Sequence, residues 1–369
     1  MRVRIAGLIV VIQTILFLAH WFVYDTWAAF RLSPDLPGTT WLRAVLAVLS
    51  VSFVVASLLA FRYANFAARL LYRLANVWLG FLNFLLLAAG LCWTFYLGGR
   101  LVGVVPRRSA LVTALFGLAA IVSIYGLLNA RSVRVKRIRV KLPNLPPSWR
   151  GRVAALVSDV HLGHVNGLGF MRRIVARLAR LRPDVVFITG DLYDGTKVNA
   201  GAVAAPWNEF APVFGKYFVT GNHEEFSDPA KYLEAVSSAG IRVLNNEKAM
   251  ADGLQIVGVD YGASTRPERL RAVLQQAGID RDASSILLSH APHGLAVAES
   301  EGVSLQLSGH THGGQFFPFT WLTRRVFREF TYGLQRFGTL MVYTSSGAGT
   351  WGPPIRVGTR PEIALIEFE

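Results

Sequence analysis

The sequence predicts two parts in series: an N-terminal α-helical membrane unit of about four helices over residues 1–130, and an α/β domain over residues 151–369, joined by a basic linker at 131–150. Three observations carry this reading. Four apolar stretches before about residue 130 are each near the roughly 20 residues a helix needs to cross the hydrocarbon. After Pro143-Asn-Leu-Pro-Pro147, where proline stops any helix, the pattern turns to short apolar runs alternating with amphipathic segments. Five of those runs end in Asp, Asn or His.

Composition agrees. The chain has 369 residues, 52% of them hydrophobic, and a mean hydropathy of +0.38. That is too apolar for a purely soluble protein and long enough for two units. The net charge of +15 points first to nucleic acid, but much of the basic excess flanks the apolar stretches, the signature of membrane topology. The single cysteine, Cys92, lies inside an apolar stretch, so neither a disulfide framework nor a cysteine metal site is expected.

The stretches run from about Ile5 to Tyr24, Trp41 to Phe61, Val77 to Leu97 and Ala110 to Ala130, with Trp21, Trp27, Trp41, Trp93 and Tyr96 near their ends. The first is long for a signal peptide and lacks a small-residue cleavage site, so it reads as a retained helix. Arg2 and Arg4, then Arg62, Arg69 and Arg73, then Arg131, Arg134, Lys136, Arg137, Arg139 and Lys141 fall on one side of a four-span arrangement. Arg31, Arg43, Arg100, Arg107 and Arg108 fall on the other. The excess puts both termini in the cytoplasm. The run at 131–141 reads as a stop-transfer flank, with anionic lipid headgroups as a second use. His20 reads as an interfacial or helix-packing residue, since nothing near it completes a site.

In the second part, Val153–Val157 leads into Ser158-Asp159-Val160-His161, and Val185–Thr189 into Gly190-Asp191-Leu192-Tyr193-Asp194. Tyr217–Thr220 leads into Gly221-Asn222-His223-Glu224, and Ile286–Ser289 into His290. Val303–Leu307 leads into Ser-Gly-His310-Thr-His312-Gly-Gly-Gln315. Between the first two runs, residues 170–181 show apolar positions at helical spacing with arginines on the other face. Any one such strand ending is ordinary. Five in a domain whose ligands gather at strand C-termini, holding seven of the eight histidines, point to a metal site of oxygen and nitrogen ligands.

In this order the motifs Asp-x-His, Gly-Asp-x-x-Asp, Gly-Asn-His-Glu, His and Gly-His-x-His resemble the calcineurin-like metallophosphoesterases, and the extended Gly-His-Thr-His-Gly-Gly-Gln is similar to their membrane-associated bacterial branch. The resemblance covers residue 150 to the end and implies a four-layer αββα sandwich with two divalent metals, Mn foremost, with Fe, Zn or Co also fitting the ligand types. It implies Asp159, His161, Asp191 and His312 on one metal and Asp191, Asn222, His290 and His310 on the other, Asp191 bridging. His223, outside both sets, is implied to contact the phosphate and protonate the leaving oxygen. The implied reaction cleaves a phosphodiester or pyrophosphate by metal-activated hydroxide attack.

With a membrane unit attached, the expected partners are the bilayer and a phosphorylated, lipid-linked substrate such as a UDP-diacylglucosamine, not nucleic acid, at a bacterial cytoplasmic membrane with the catalytic domain inside. Two alternatives stay open: the same centre acting on a soluble phosphoester (cyclic nucleotide or nucleic acid), or a non-catalytic metal-binding membrane scaffold. Asp194, His164 and His293 are expected around the ligands or at the surface. Glu224 is expected to steady His223 or to be solvated, and Glu225 to be solvated. Residues 316–332 mix aromatics with Arg324, Arg325 and Arg328, and read either as an interfacial patch or clamp for an amphipathic anionic substrate, or as ordinary loop packing.

Overall fold

The structure, a computed structural model, describes residues 2–31, 39–226 and 229–369. The side chains of Arg2 and Arg4 lie outside the described residues. The chain divides into two compact units, residues 1–128 with 352–355, and residues 129–351 with 356–369.

The first unit holds α1 (Arg2–Arg31), α2 (Thr39–Arg62), α3 (Phe66–Leu101) and α4 (Arg108–Arg131). All four are long and apolar enough to cross a membrane. Leu8, Val10, Val48, Leu58 and Ile121 are exposed, as lipid-facing residues are, while Leu16, Val23, Leu82 and Ala89 pack inward. Phe30, Trp93 and Tyr96 form an edge-on aromatic cluster, and Trp93 Nε1 donates to Thr26 Oγ1 at 2.9 Å. His20 is a packing residue: its Nδ1 lies 2.7 Å from Leu16 O and its Nε2 accepts from Trp78 Nε1 at 2.8 Å, so both ring nitrogens are engaged. The third helix departs from expectation. It is 36 residues long and takes in Arg69 and Arg73, read above as loop. Arginine is a good helix former, and Asn65 caps the start by accepting from Ala68 N at 2.9 Å.

The second unit is built on two six-stranded sheets. The first contains β1 (Arg134–Val140), β2 (Val153–Val157), β3 (Val185–Thr189), β4 (Lys216–Val219) and β5 (Arg242–Val243). The second contains β6 (Glu247–Ala251), β7 (Leu254–Gly258), β8 (Ser285–Leu288), β9 (Leu305–Ser308), β10 (Gly333–Phe337) and β11 (Leu340–Thr344). The last strand, β12 (Glu362–Phe368), returns to the first sheet, whose order is β1-β12-β2-β3-β4-β5. The second runs β10-β11-β9-β8-β7-β6. Strands β2 to β5 are parallel, as are β7, β8, β9 and β11.

Alternation along each strand builds the layers. On β2 and β3, Ala154, Leu156, Val185 and Phe187 meet Ile256, Ile286, Leu288, Leu305 and Leu307 of the other sheet. Ala155, Val157, Val186 and Ile188 face the other way, against α5 (Leu168–Leu181) and α8 (Pro229–Ser238), with α6 (Ala200–Ala204) and α7 (Asn222–Phe226) between these in sequence. The outer face of the second sheet carries α10 (Pro267–Ala277) and α11 (Leu295–Ser300), after the single turn α9 (Tyr261–Ser264). Helix, sheet, sheet, helix is the four-layer arrangement. Because β2 and β3 are buried on both faces, they read as unbroken apolar runs.

Residues 131–150 are not a linker. Arg134–Val140 is the edge strand β1, paired in parallel with β12 from Arg134↔Glu362 to Val140↔Phe368. Its Lys and Arg are exposed, while Val135 packs on the helix-covered face and Ile138 and Val140 pack on the inter-sheet face, so the strand does not alternate cleanly; edge charges discourage pairing with other chains. The run that follows closes the inter-sheet core with Val140, Leu142, Leu145 and Trp149, all buried. Trp149 stacks on Phe214 at 4.5 Å and donates Nε1–H to Ala251 O. A soluble chain truncated to begin at Gly151 therefore loses four core side chains, a loss on the order of 6–12 kcal/mol at roughly 1.5–3 each. It should show no cooperative thermal transition by circular dichroism, whereas one beginning at Ser132 melts cooperatively.

Candidate metal centre

Three parallel strands of the first sheet (β2, β3, β4) and two of the second (β8, β9) end beside one another, and the residue one to four places past each end faces the same cavity. The chain must turn abruptly there. Asp159, His161, Asp191, His310 and His312 all have positive φ, between 49° and 69°. Left-handed backbone is costly outside glycine and gathers at functional sites. The turns leave no spare room: a Cβ on Gly309 would stand 1.9 Å from Ser158 Oγ and 2.3 Å from Asp159 Oδ2. Gly190, at φ +80°, brings its own backbone against Gly221 N.

Two groups of donor atoms result. In one, His161 Nε2 lies 3.0 Å from His312 Nε2, which is 3.5 Å from Asp159 Oδ1. In the other, His290 Nε2 lies 3.2 Å from Asp191 Oδ2, 3.1 Å from Asn222 Oδ1 and 3.1 Å from His310 Nδ1. Asp191 Oδ2 is also 3.8 Å from His161 Nε2, so this one oxygen stands between the groups. Its partner Oδ1 is taken by the backbone N–H of His223 at 2.9 Å. All eight site residues named from the sequence converge here. His223 also brings a ring nitrogen within 4.8 Å of His161 and Asp191 donor atoms, closer than its place outside the ligand sets implied. Its Nδ1 meets the Asp194 carbonyl at 3.0 Å, and its ring is edge-on to His161 and to the exposed Trp351.

These residues fit a pair of divalent cations. His290 Nδ1 faces the Thr189 carbonyl at 2.7 Å and must donate to it, so in the neutral ring Nε2 offers a lone pair. That lone pair, Asn222 Oδ1 and Asp191 Oδ2 are three acceptors around one point, with His310 Nδ1 beside them. In the other group His161 Nε2 faces His312 Nε2 at 3.0 Å, two imidazole nitrogens set against each other, with Asp159 Oδ1 3.5 Å from the latter. Buried acceptors aimed at one another repel unless a cation sits among them. Carboxylate, carboxamide and imidazole without thiolate make a donor set for a divalent first-row metal.

The electrostatics say the same. Burial alone would lower His290, but the adjacent Asp191 carboxylate overcomes it and lifts the imidazole to about 10. Burial would raise Asp191, yet His290 and His161 hold it well below the usual carboxylate range. Burial pushes Asp159 up to about 6 and drives His161 and His310 down to about 3, with His312 well below its ordinary value. A proton on His290 supplies one positive charge to this cavity. The imidazoles of His161, His310 and His312 stay neutral and keep their lone pairs.

Several residues act in ways the sequence did not disclose. Glu224 is fully buried and neither touches the His223 ring nor meets solvent. Its Oε2 accepts from Asp191 N at 2.9 Å and Gly221 N at 2.8 Å, and its Oε1 from Tyr193 N at 3.0 Å, so one carboxylate ties two ligand loops together. Burial and the Asp191 charge push it up to about 7 against those three donors. Glu225 is half-buried, not solvated, and accepts from Thr220 Oγ1 and Gly262 N. Arg356 is fully buried and donates to His312 O and to Gly349 O, with a guanidinium nitrogen 3.2 Å from His312 Nδ1. Burial lowers it only to about 10, so it remains cationic at neutral pH. Gln315 pairs its side-chain amide with both backbone groups of Trp351. A lone Arg in a Gly- and Pro-rich loop carries no spacing signal, and a Glu-Glu pair reads as surface. His164 is buried and Asp194 half-buried beside the site, sharing Thr196, and His293 packs on Phe327 at 5.3 Å.

Comparison with known proteins identifies the domain that holds these residues. Residues 153–314 match the family model of the calcineurin-like phosphoesterases. A zebrafish (Danio rerio) transmembrane protein with metallophosphoesterase domain is 35% identical over 265 residues, 68% of this chain and 60% of the relative. An uncharacterized metallophosphoesterase of Helicobacter pylori is 34% identical over 58% of each chain. One of Campylobacter jejuni is 30% identical over 67% of this chain and 66% of its own length. The chain thus spans about three fifths of the length of the first two relatives.

Two outcomes follow. Because the proton on His290 must leave before a cation can bind, metal affinity falls as pH drops below about 10, and the residue is already protonated at neutrality. Calorimetry at pH 7.5 in buffers of different ionisation enthalpy should register release of about one proton per protein from this residue. Glu224→Gln turns an NH₂ against a backbone N–H. It should weaken metal binding by roughly 10- to 100-fold while the chain stays folded.

Proposed function

The chain carries a calcineurin-like metallophosphoesterase domain, and on that premise we propose that it is a membrane-anchored, dinuclear-metal phosphohydrolase cleaving a phosphodiester or pyrophosphate of a lipid-linked substrate. The observation that carries the reading is Asp191 Oδ2, 3.2 Å from His290 Nε2 and 3.8 Å from His161 Nε2, one carboxylate oxygen shared by two ligand groups. Two divalent cations held there supply Lewis acidity at both the entering and the leaving oxygen of an in-line displacement at phosphorus, and an activated water. The ligand types favour Mn, with Fe, Zn and Co also compatible.

The chain's own residues then have defined tasks. Asp159, His161 and His312 bind on one side and Asn222, His290 and His310 on the other, with Asp191 common to both. Arg356 fixes the His312 ring and its loop. His223 is half-buried at the rim, where a substrate phosphate arrives. With Nδ1–H donated to the Asp194 carbonyl, its Nε2 is left to hold a proton and pass it to the departing oxygen. No cysteine is on hand to act as nucleophile, since the one in the sequence, Cys92, is buried in the helical unit.

Four membrane-length helices in the same chain support a substrate presented from a bilayer. A nucleotide pyrophosphate bearing an acylated sugar has the required chemistry. The bacterial cytoplasmic membrane, with this domain on its inner side, is the setting the arginine distribution favours.

The test is hydrolysis of bis(4-nitrophenyl) phosphate by detergent-solubilised protein, stripped with chelator and resupplied with Mn²⁺. Activity should return with the metal and be lost in Asp191→Asn. Turnover that survives both treatments overturns the reading. His223→Asn should cost ~10²- to 10⁴-fold on an alkyl ester, whose leaving group needs the proton, and much less on the nitrophenyl ester, whose leaving group does not.

A further inference from the structure

Helix α12 (Phe319–Phe327) begins a few residues after the last histidine ligand and wears its amphipathic pattern reversed. Phe319, Leu322 and Val326 stand at i, i+3 and i+7, the spacing of a core-facing stripe. Here they are 49%, 43% and 69% exposed. The side that meets the domain carries Thr320, Thr323 and Phe327, all half-buried. None of its residues is buried. Trp321, 50% exposed, lies beside the stripe with the Arg325 guanidinium 4.9 Å over its ring. Arg324, Arg325 and the following Arg328 are cationic, and the helix itself contains no Asp or Glu.

We propose that α12 seats in the headgroup region of an anionic bilayer, its apolar stripe in the acyl boundary and its arginines on lipid phosphates. Three features choose a membrane as the occupant. Tryptophan and phenylalanine with arginine on one short helix is the composition of an interfacial helix. The helix itself carries only positive charge, with Glu329 after Arg328 the first acid beyond it, and each cation near an anionic leaflet adds attraction. The same chain holds four helices long enough to span a bilayer, so a membrane surface is always within reach of this domain. A protein partner would need an acidic rim around an apolar ridge, and the chain's net charge of +15 argues against a second copy as that partner.

The position of the helix gives the seating a consequence. Phe327 lies 6.0 Å from His310, and Gly314, just past His312, meets the backbone of Phe319 and Thr320. Seated α12 therefore holds the mouth of the metal centre at the lipid surface. The inference concerns where the domain rests and not what it hydrolyses, and its test reads depth without turnover.

The experiment uses the full chain in nanodiscs of phosphatidylcholine, alone or mixed with phosphatidylglycerol. A nitroxide is attached at Val326→Cys, with Val213→Cys as the reference. Val213 is 77% exposed and precedes β4, at the opposite end of the strand from the ligands. The native Cys92 is buried, and the unsubstituted chain supplies the background. Power saturation compares collision with oxygen, enriched in lipid, and with a nickel chelate, confined to water. In the phosphatidylglycerol discs the label at Val326 should favour oxygen several-fold while that at Val213 favours nickel. The double change Arg324→Gln with Arg325→Gln should shift Val326 toward water. A label at Val326 that favours nickel in both lipids overturns the proposal. So does one immobilised and reached by neither relaxant, which would mean protein covers the stripe.

Discussion

Acceptor atoms crowded around Asp191 Oδ2 repel one another unless positive charge sits among them, and the layout of the domain follows from meeting that demand in a dry interior. The lone pairs come from both sheets: Asp159, His161, Asp191 and Asn222 follow strands of the first, His290, His310 and His312 strands of the second. Neither sheet alone could assemble the set. The inter-sheet core of Leu156, Phe187, Ile256 and Leu288 is thus also the device that brings two incomplete half-sites into register.

Holding mutually repelling groups in place needs a stiff frame, and the strained turns supply it. Five ligand residues sit in left-handed backbone at strand ends, where the pleat would otherwise carry their side chains apart. Glu224 collects two backbone N–H groups from the Asp191 turn and one from Gly221 beside Asn222, and Arg356 clamps the His312 turn to the Gly347–Gly349 loop. Both are buried, and their hydrogen bonds go mainly to the backbone of the turns that carry the site. The polar machinery is therefore as much structural as chemical.

The residues that converge in the cavity were legible in the sequence because the same local pattern, a short apolar run ending in Asp, Asn or His, recurs five times; one occurrence would have meant little. The sequence disclosed the helical unit because twenty apolar residues have few other uses. It hid β1, since a basic run after a membrane helix looks like a flank whether or not it pairs, and the parallel partner β12 lies more than 200 residues away. It hid β5, which has two residues, and β6 and β10, which are partly exposed; β7 and β11 are largely buried but end in no histidine, so they carried no signal of the kind that marked the others. The extent of α3 was concealed by Arg69 and Arg73, which interrupt an apolar run without interrupting a helix. Glu224 was visible as the last residue of its motif, but its burial and its backbone partners were not, and Arg356 gave no signal, because burial is decided by what folds over a residue and not by its neighbours in the chain.

The bond pattern of Glu224 has a bearing on how the centre forms. Its carboxylate spans the turn that carries Asp191 and the turn that opens onto Asn222, and Asp191 belongs to both ligand groups. Ordering one group consequently orders part of the other, so the two halves of the site form as one unit. A change at either turn, the one that carries Asp191 or the one that opens onto Asn222, is therefore felt at both groups of donor atoms.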